Sequence, residues 1–132
     1  MTQSKGISFK GQNIYVGIDV HLRSWSVTIL SETSVLKRMS QGADPDALHR
    51  FLTSHYPGAE YYSVYEAGFC GFWIHDRLME LGIHNIVVTP ADVPTMSSEK
   101  LRKTDPVDCK KLAVSLRAKQ LKGIYTPDGE TL

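Results

Sequence analysis

The chain has 132 residues, 15 Lys and Arg against 14 Asp and Glu for a formal net charge of +1, and 42% hydrophobic with 22% charged residues. That length suits one domain and that composition excludes disordered and fibrous classes. No run approaches the ~20 apolar residues that span a bilayer, and the polar opening Met1-Thr2-Gln3-Ser4-Lys5-Gly6 lacks a signal peptide's apolar core, so a cytoplasmic protein without membrane contact is expected.

Residues 1–12 read as a flexible N-terminal segment. In Asn13-Ile14-Tyr15-Val16-Gly17-Ile18-Asp19-Val20, Ile14, Val16, Ile18 and Val20 share one strand face while Tyr15, Gly17 and Asp19 share the other, a pattern expected of a central strand. Ser24 to Leu30 alternates more cleanly, and Val35 to Ser40 is a third β-prone run, which together predict an antiparallel meander. At Asp44-Pro45-Asp46 a capping residue and a first-turn proline precede Leu48, Phe51, Leu52 and His55 at helical spacing, and the helix must end before Pro57-Gly58. Tyr61 to Glu66 is the next strand. Gly71 to Leu81 is a helix with Ile74, Leu78 and Leu81 inward, closed by Gly82, and Ile83 to Val88 is a short apolar strand. Residues 89–104, with Pro90, Pro94 and Ser97-Ser98, carry no periodicity, and long loops of this kind are usually functional. Asp105 to Leu121 is the last helix, its stripe formed by Cys109, Leu112, Ala113 and Leu116.

The order β-β-β-α-β-α-β-α predicts an α/β fold: a mixed five-stranded sheet flanked by helices, in the ribonuclease-H-like plan, because parallel additions need helical crossovers. In that plan the Tyr61–Glu66 strand lies parallel to and beside the first.

Charge is unevenly spread. Residues 100–122 hold eight of the basic residues (Lys100, Arg102, Lys103, Lys110, Lys111, Arg117, Lys119, Lys122) with only Asp105 and Asp108 opposing them, +6 locally against −5 elsewhere. Such a stretch is the footprint of a polyanion binder, and a solvated helix face accounts for the charge equally well. Lys100, Arg102, Lys103, Lys110, Lys111 and Arg117 are the candidate nucleic-acid contacts.

A carboxylate within an apolar central strand is costly unless paired or bound to a cation, which singles out Asp19. Glu66 ends its strand where open α/β sheets carry ligands, so the two are expected to meet at one end of the sheet. Asp105 and Asp108, at i and i+3, share a helix face. Asp105-Pro106 also reads as N-cap and N1 with Asp108 as a capping-box acid, a reading without chemistry. Four acids from three separated elements favour a shared site. Clustered Asp and Glu oxygens suit Mg²⁺ or Mn²⁺ and phosphate chemistry. Cys70 and Cys109 lack Cys-x-x-Cys partners and are expected to be reduced and buried. His21 lies beside Asp19 in a turn, while His49, His55, His75 and His84 lack ligand spacing and read as surface or helix-edge residues. Trp25, Trp73 and the tyrosines at 61, 62 and 65 read as core.

Three segments, Tyr15-Val16-Gly17-Ile18-Asp19-Val20-His21, Tyr65-Glu66-Ala67-Gly68 followed by Cys70-Gly71-Phe72, and Arg102-Lys103-Thr104-Asp105-Pro106-Val107-Asp108, resemble the N-terminal domain of the DEDD insertion-sequence transposases numbered one hundred and ten. The resemblance covers residues 13–127. It implies a RuvC-like nuclease fold with Asp19, Glu66, Asp105 and Asp108 as catalytic and metal-holding acids. It further implies Mg²⁺ (or Mn²⁺), a DNA substrate cleaved during transposition, a guide RNA encoded by the element, and homo-oligomers in the full-length protein. Cys109 stands where the family commonly has alanine. Family members continue into a second domain that supplies a serine for strand exchange, so the chain is expected to cover the first domain only, with residues 128–132 a tail at a truncation point. Two other readings stay open: a non-catalytic nucleic-acid-binding or assembly module, and a sugar-kinase-type phosphotransferase, whose phosphate turn is richer in Gly and Thr than His21-Leu22-Arg23-Ser24.

Overall fold

The computed structural model describes residues 8–67, 72–89 and 109–119. Five strands, β1 (Asn13–Val20), β2 (Ser24–Leu30), β3 (Val35–Gly42), β4 (Glu60–Glu66) and β5 (His84–Val88), form one sheet in the order β3-β2-β1-β4-β5. β1, β2 and β3 are antiparallel, and β4 and β5 add in parallel beside β1. Helices α1 (Pro45–His55) and α2 (Trp73–Glu80) make the two crossovers, and α3 (Cys109–Arg117) packs over β1, β2 and β4. This is the ribonuclease-H-like arrangement, with β1 central. No helix among the described residues is long and apolar enough to cross a membrane.

Strand alternation sorts the two faces. Ile14, Val16 and Ile18 of β1, Trp25, Val27 and Ile29 of β2, and Tyr61 and Tyr65 of β4 pack with Leu48, Leu52, Ile74 and Leu78 from α1 and α2 into the larger core. Each such fully buried aliphatic side chain contributes about 1.5–3 kcal/mol, so this layer supplies most of the hydrophobic stabilisation. α1 begins where the sequence predicts: the Asp44 carboxylate accepts from the Asp46 amide at 2.9 Å, with Pro45 in the first turn. Arg77 of α2 then grips the Asp46 carboxylate through Nε at 2.8 Å and a second nitrogen at 3.1 Å, tying the two crossover helices together.

Two residues depart from expectation. Trp73, read as core, opens α2 and is 55% exposed, while His75, read as a surface residue, is buried. The helix is rotated so that His75 turns inward, because a polar chain awaits it there. Ser63 Oγ donates to Asn85 Oδ1 at 2.6 Å, and Asn85 Nδ2 lies 2.8 Å from His75 Nδ1. The Tyr65 hydroxyl accepts from the His75 amide at 3.2 Å. A buried polar network with partners fixes one packing of α2 on β4 and β5, which apolar contacts alone specify less sharply.

The opposite face is thinner. α3 lays Leu112 on Val64 and Val88, and Ala113 on Tyr15 and Leu30. It approaches the sheet closely at Gly17: a Cβ there would collide with the Cys109 carbonyl oxygen and stand 2.6 Å from the Ala113 nitrogen. Cys109 is buried, and its Sγ lies 3.1 Å from Thr28 Oγ1.

Gly17→Ala is therefore expected to push α3 off the sheet and cost about 1–3 kcal/mol or more, since backbone and not a flexible side chain must yield, visible as a lowered urea midpoint. The His75 imidazole is held below its ordinary value by burial, so the unfolded chain takes up that proton at a higher pH than the native chain. Its stability contribution is complete above an unfolded value of about 6.5 and is lost as the pH falls below it. Urea midpoints measured from about pH 7.5 down to about pH 5.5 should fall, and the fall should be shallower in His75→Gln.

Candidate functional site

Antiparallel pairing with β2 and parallel pairing with β4 fix what surrounds Asp19. The last paired rung between β1 and β4 joins Ile18 to Tyr65, so Asp19 and Glu66 occupy the next position on neighbouring strands. Residues level in a parallel pair point to the same face, and adjacent strands lie about 4.8 Å apart. Both carboxylates therefore belong to the face that α3 covers, at the carboxyl ends of two parallel strands. The series on that face runs Tyr15 beside Tyr62, Gly17 beside Val64, and then Asp19 beside Glu66. α3 starts with Cys109 over Gly17, one step short of the acids.

Asp19 is 25% exposed and meets His21 of the following turn, Nε2 to Oδ2 at 3.2 Å. The turn is closed by the His21 amide donating to the Ser24 carbonyl at 3.1 Å, which folds the imidazole back toward the strand it has just left. On its other side Asp19 pairs in register with Ser26 of β2. In the sequence, Ser24, Ser26 and Thr28 read only as the polar half of an alternating strand. Strand pairing is what puts a hydroxyl beside the acid.

Asp105 and Asp108 lie outside the described residues, as do Lys100, Arg102, Lys103 and Cys70. Asp108 immediately precedes Cys109 in the chain. Among the described residues no three His, Cys, Asp or Glu side chains converge as a metal set. Lys110 and Lys111 stand in the first turn of α3, on the acid side of the molecule. Arg117 lies at the other end of that helix, half-buried, where its guanidinium donates to the Ser31 carbonyl at 3.1 Å and anchors α3 to the turn between β2 and β3.

That far end of the sheet is internally satisfied. Glu32 accepts from the Tyr15 hydroxyl at 2.7 Å and from Asn13 Nδ2 at 3.1 Å, and these bonds hold its carboxyl below the usual range. Tyr15 stacks on Tyr62 at 5.6 Å and Tyr62 on His84 at 4.9 Å, with His84 reaching Glu60 at 3.1 Å.

The chain is similar to insertion-sequence transposases. It is 29% identical over 110 residues to the transposase for insertion sequence element IS1533 of Leptospira borgpetersenii, covering 81% of this chain and 32% of that protein. It is 29% identical over 116 residues to a protein of Sinorhizobium fredii (strain NBRC 101917 / NGR234) named as transposase y4rJ, covering 80% of this chain and 29% of that one. The chain thus spans about a third of the length of these curated relatives. No protein-family model matches it. Among solved structures it is similar to the Thermus thermophilus RuvC structure, with a TM-score of 0.44 and 13% identity over 86% of this chain and 83% of that one.

Two carboxylates side by side repel when no cation lies between them, by about 0.2–1 kcal/mol for directly opposed like charges. Asp19→Asn is expected to raise the thermal midpoint of the chain in EDTA, and to lose that advantage when Mg²⁺ or Mn²⁺ is added.

Proposed function

We propose that the chain is the RuvC-like nuclease domain of an insertion-sequence transposase, with a divalent cation held by Asp19 and Glu66 together with Asp105 and Asp108. The observation that supports this reading most is the register of β1 with β4, whose last rung, Ile18 with Tyr65, leaves Asp19 and Glu66 level at the carboxyl ends of adjacent parallel strands, on the side that α3 covers. Asp46 faces Arg77 and Glu32 faces Tyr15, whereas Asp19, besides meeting His21, is set by register next to another acid. That placement has a physical rationale if a cation offsets it.

The donor set fits a hard ion. Mg²⁺ keeps several waters and takes one or two protein carboxylates plus substrate phosphate oxygens, so a small all-oxygen cluster at a partly exposed strand end is the chemistry it prefers. When bound, the cation supplies activation of water and neutralisation of charge developing on the phosphodiester. The chain's own contributions are separable. Asp19 and Glu66 anchor on a rigid sheet, His21 fixes the orientation of the Asp19 carboxylate, and the buried Cys109–Thr28 contact seats the start of α3 so that the acids preceding it in sequence can join the cluster. The basic residues of 100–122 hold the substrate strand electrostatically.

The substrate in this reading is DNA, cleaved during transposition, with an element-encoded guide RNA and a second, strand-joining domain as partners in a longer, oligomeric protein. The test is calorimetric titration of the chain with Mn²⁺ and Mg²⁺ alongside a nicking assay. Wild-type chain should bind Mn²⁺, Asp19→Asn and Glu66→Gln should each weaken binding by about 10–100-fold, and any nicking should vanish with them. Indifference of the wild-type chain to both cations would leave a nucleic-acid-binding module without catalysis.

A further inference from the structure

The face that holds Asp19 does not stop at β1. Asp19 pairs with Ser26, and Ser26 in turn pairs with Ser40 of β3, so one row of the sheet reads acid, hydroxyl, hydroxyl out to the edge. The next row reads Gly17, Thr28, Arg38, and the row on the other side brings Ser24 against Gly42. α3 packs over β1, β2 and β4, which leaves the β3 part of this face without a helical cover among the described residues. Ser40 and Arg38 are exposed, and Ser26 is half-buried.

These rows differ from the rest of the sheet. The other side of β2 and β3 carries Trp25, Val27 and Ile29 with Met39, a packed apolar layer. On the Asp19 side the rows at and next to Asp19 present Ser24, Ser26, Ser40, Thr28 and Gly42 with one arginine, and the larger Leu30 lies further along β2, under α3. Among the described residues Arg38 has no ion-pair partner, whereas Arg77 is committed to Asp46 and Glu80, and Arg117 bonds Ser31. The strip from Asp19 to Ser40 crosses two strand spacings, about 10 Å, and Arg38 lies two residues along β3, about 7 Å further.

We infer that this strip is a track for the sugar-phosphate backbone of a single DNA strand leading to Asp19, with Ser26 and Ser40 donating to phosphate or sugar oxygens and Arg38 pairing with a phosphate. The inference rests on the proposed nuclease reading for its direction toward Asp19. Small hydroxyl side chains let a backbone lie flat on the sheet, and hydroxyls and guanidinium are donors that phosphate oxygens accept from. An apolar occupant is disfavoured because the strip offers no apolar side chain, and a cation is disfavoured at Arg38. The charge of Arg38 complements a polyanion and continues the site without passing through α3.

The control is built into β3. Lys37 pairs with Ile29, whose side chain belongs to the opposite face, so Lys37→Gln removes the same unit of charge from the same strand on the other side of the sheet. Binding of a fluorescent single-stranded DNA oligonucleotide is measured in EDTA across a salt series for the 132-residue chain, Arg38→Gln, Lys37→Gln, Ser40→Ala and Asp19→Asn, with an RNA oligonucleotide of the same sequence in parallel. One lost phosphate contact on a single strand lowers the salt slope by about 0.7, which corresponds to about fivefold weaker binding at about 0.1 M salt. Arg38→Gln should show that loss, Ser40→Ala a smaller one of about twofold, Lys37→Gln little change, and Asp19→Asn tighter binding, because without a cation the carboxylate repels the phosphates that reach it. Equal effects of Arg38→Gln and Lys37→Gln, an Arg38→Gln chain with unchanged affinity and slope, tighter binding of RNA than of DNA, or no DNA binding by the wild-type chain would each overturn the track. Failure of the nuclease reading looks different: DNA binding weakened by Arg38→Gln, in a chain that neither binds Mn²⁺ nor nicks, keeps the track and removes the catalysis.

Discussion

The parallel pairing of β1 with β4 is the constraint on which the rest depends. It fixes β1 as the central strand, because β2 already occupies its other edge in antiparallel register. It requires a crossover helix, which α1 provides, and it makes the carboxyl ends of β1 and β4 coincide. Shifting the register by one residue would put Asp19 level with Tyr65 or Ala67 and turn either strand's apolar set toward the wrong layer. The apolar alternation of both strands therefore enforces the same register that sets the two acids side by side. Stability and site geometry are specified by one set of side chains.

The two layers around that sheet are unequal, and the inequality has a use. α1 and α2 share a deep core and a two-point grip of Arg77 on Asp46, with the Ser63–Asn85–His75 chain fixing α2. α3 is held by a few small contacts: glycine against backbone, cysteine against threonine, and Leu112 and Ala113 on the sheet. This close contact keeps the helix axis near the sheet while leaving the β3 side of that face without a helix among the described residues. A bulkier β1 residue at position 17 would lift α3 and widen the gap to the strand end where Asp19 lies.

Much of this organisation is legible in the sequence. Period-two alternation gives all five strands to within two residues, the Asp44-Pro45 cap gives the start of α1, and the Gly82 stop follows α2. The order of elements gives the topology, because handed crossovers leave few alternatives. Three features escape such reading for physical reasons. His75 looks like a helix-surface residue until Asn85 and Ser63, distant in sequence, are placed opposite it by strand pairing. Trp73 looks like core because large aromatics usually are, yet it falls on the first residue of α2, before the helix has turned its apolar stripe inward. Ser26, Ser40 and Arg38 look like an ordinary solvent-facing alternation, and only the register that aligns them with Asp19 sets them apart. The first and last of these are long-range relations, which local pattern does not encode. Of Asp105 and Asp108, which lie outside the described residues, the sequence states only their spacing and their nearness to Cys109.

The two ends of the sheet complete the contrast. At the amino end of β1 and β4 every prominent polar group has a partner. Glu32 takes two donors, Arg117 finds a carbonyl, and Tyr15, Tyr62 and His84 stack into a ladder that ends on Glu60. At the carboxyl end the register sets two acids level with each other, one of them meeting a half-exposed imidazole, and small hydroxyls run outward to an arginine without an acid among the described residues. Polar groups that stabilise a fold are arranged to satisfy one another, since an uncompensated charge at a strand end costs stability. Acids set level with each other and donors that face outward are arranged for something that arrives. A polyanionic strand with a divalent cation meets both conditions, because the cation offsets the acids and the phosphates take up the donors.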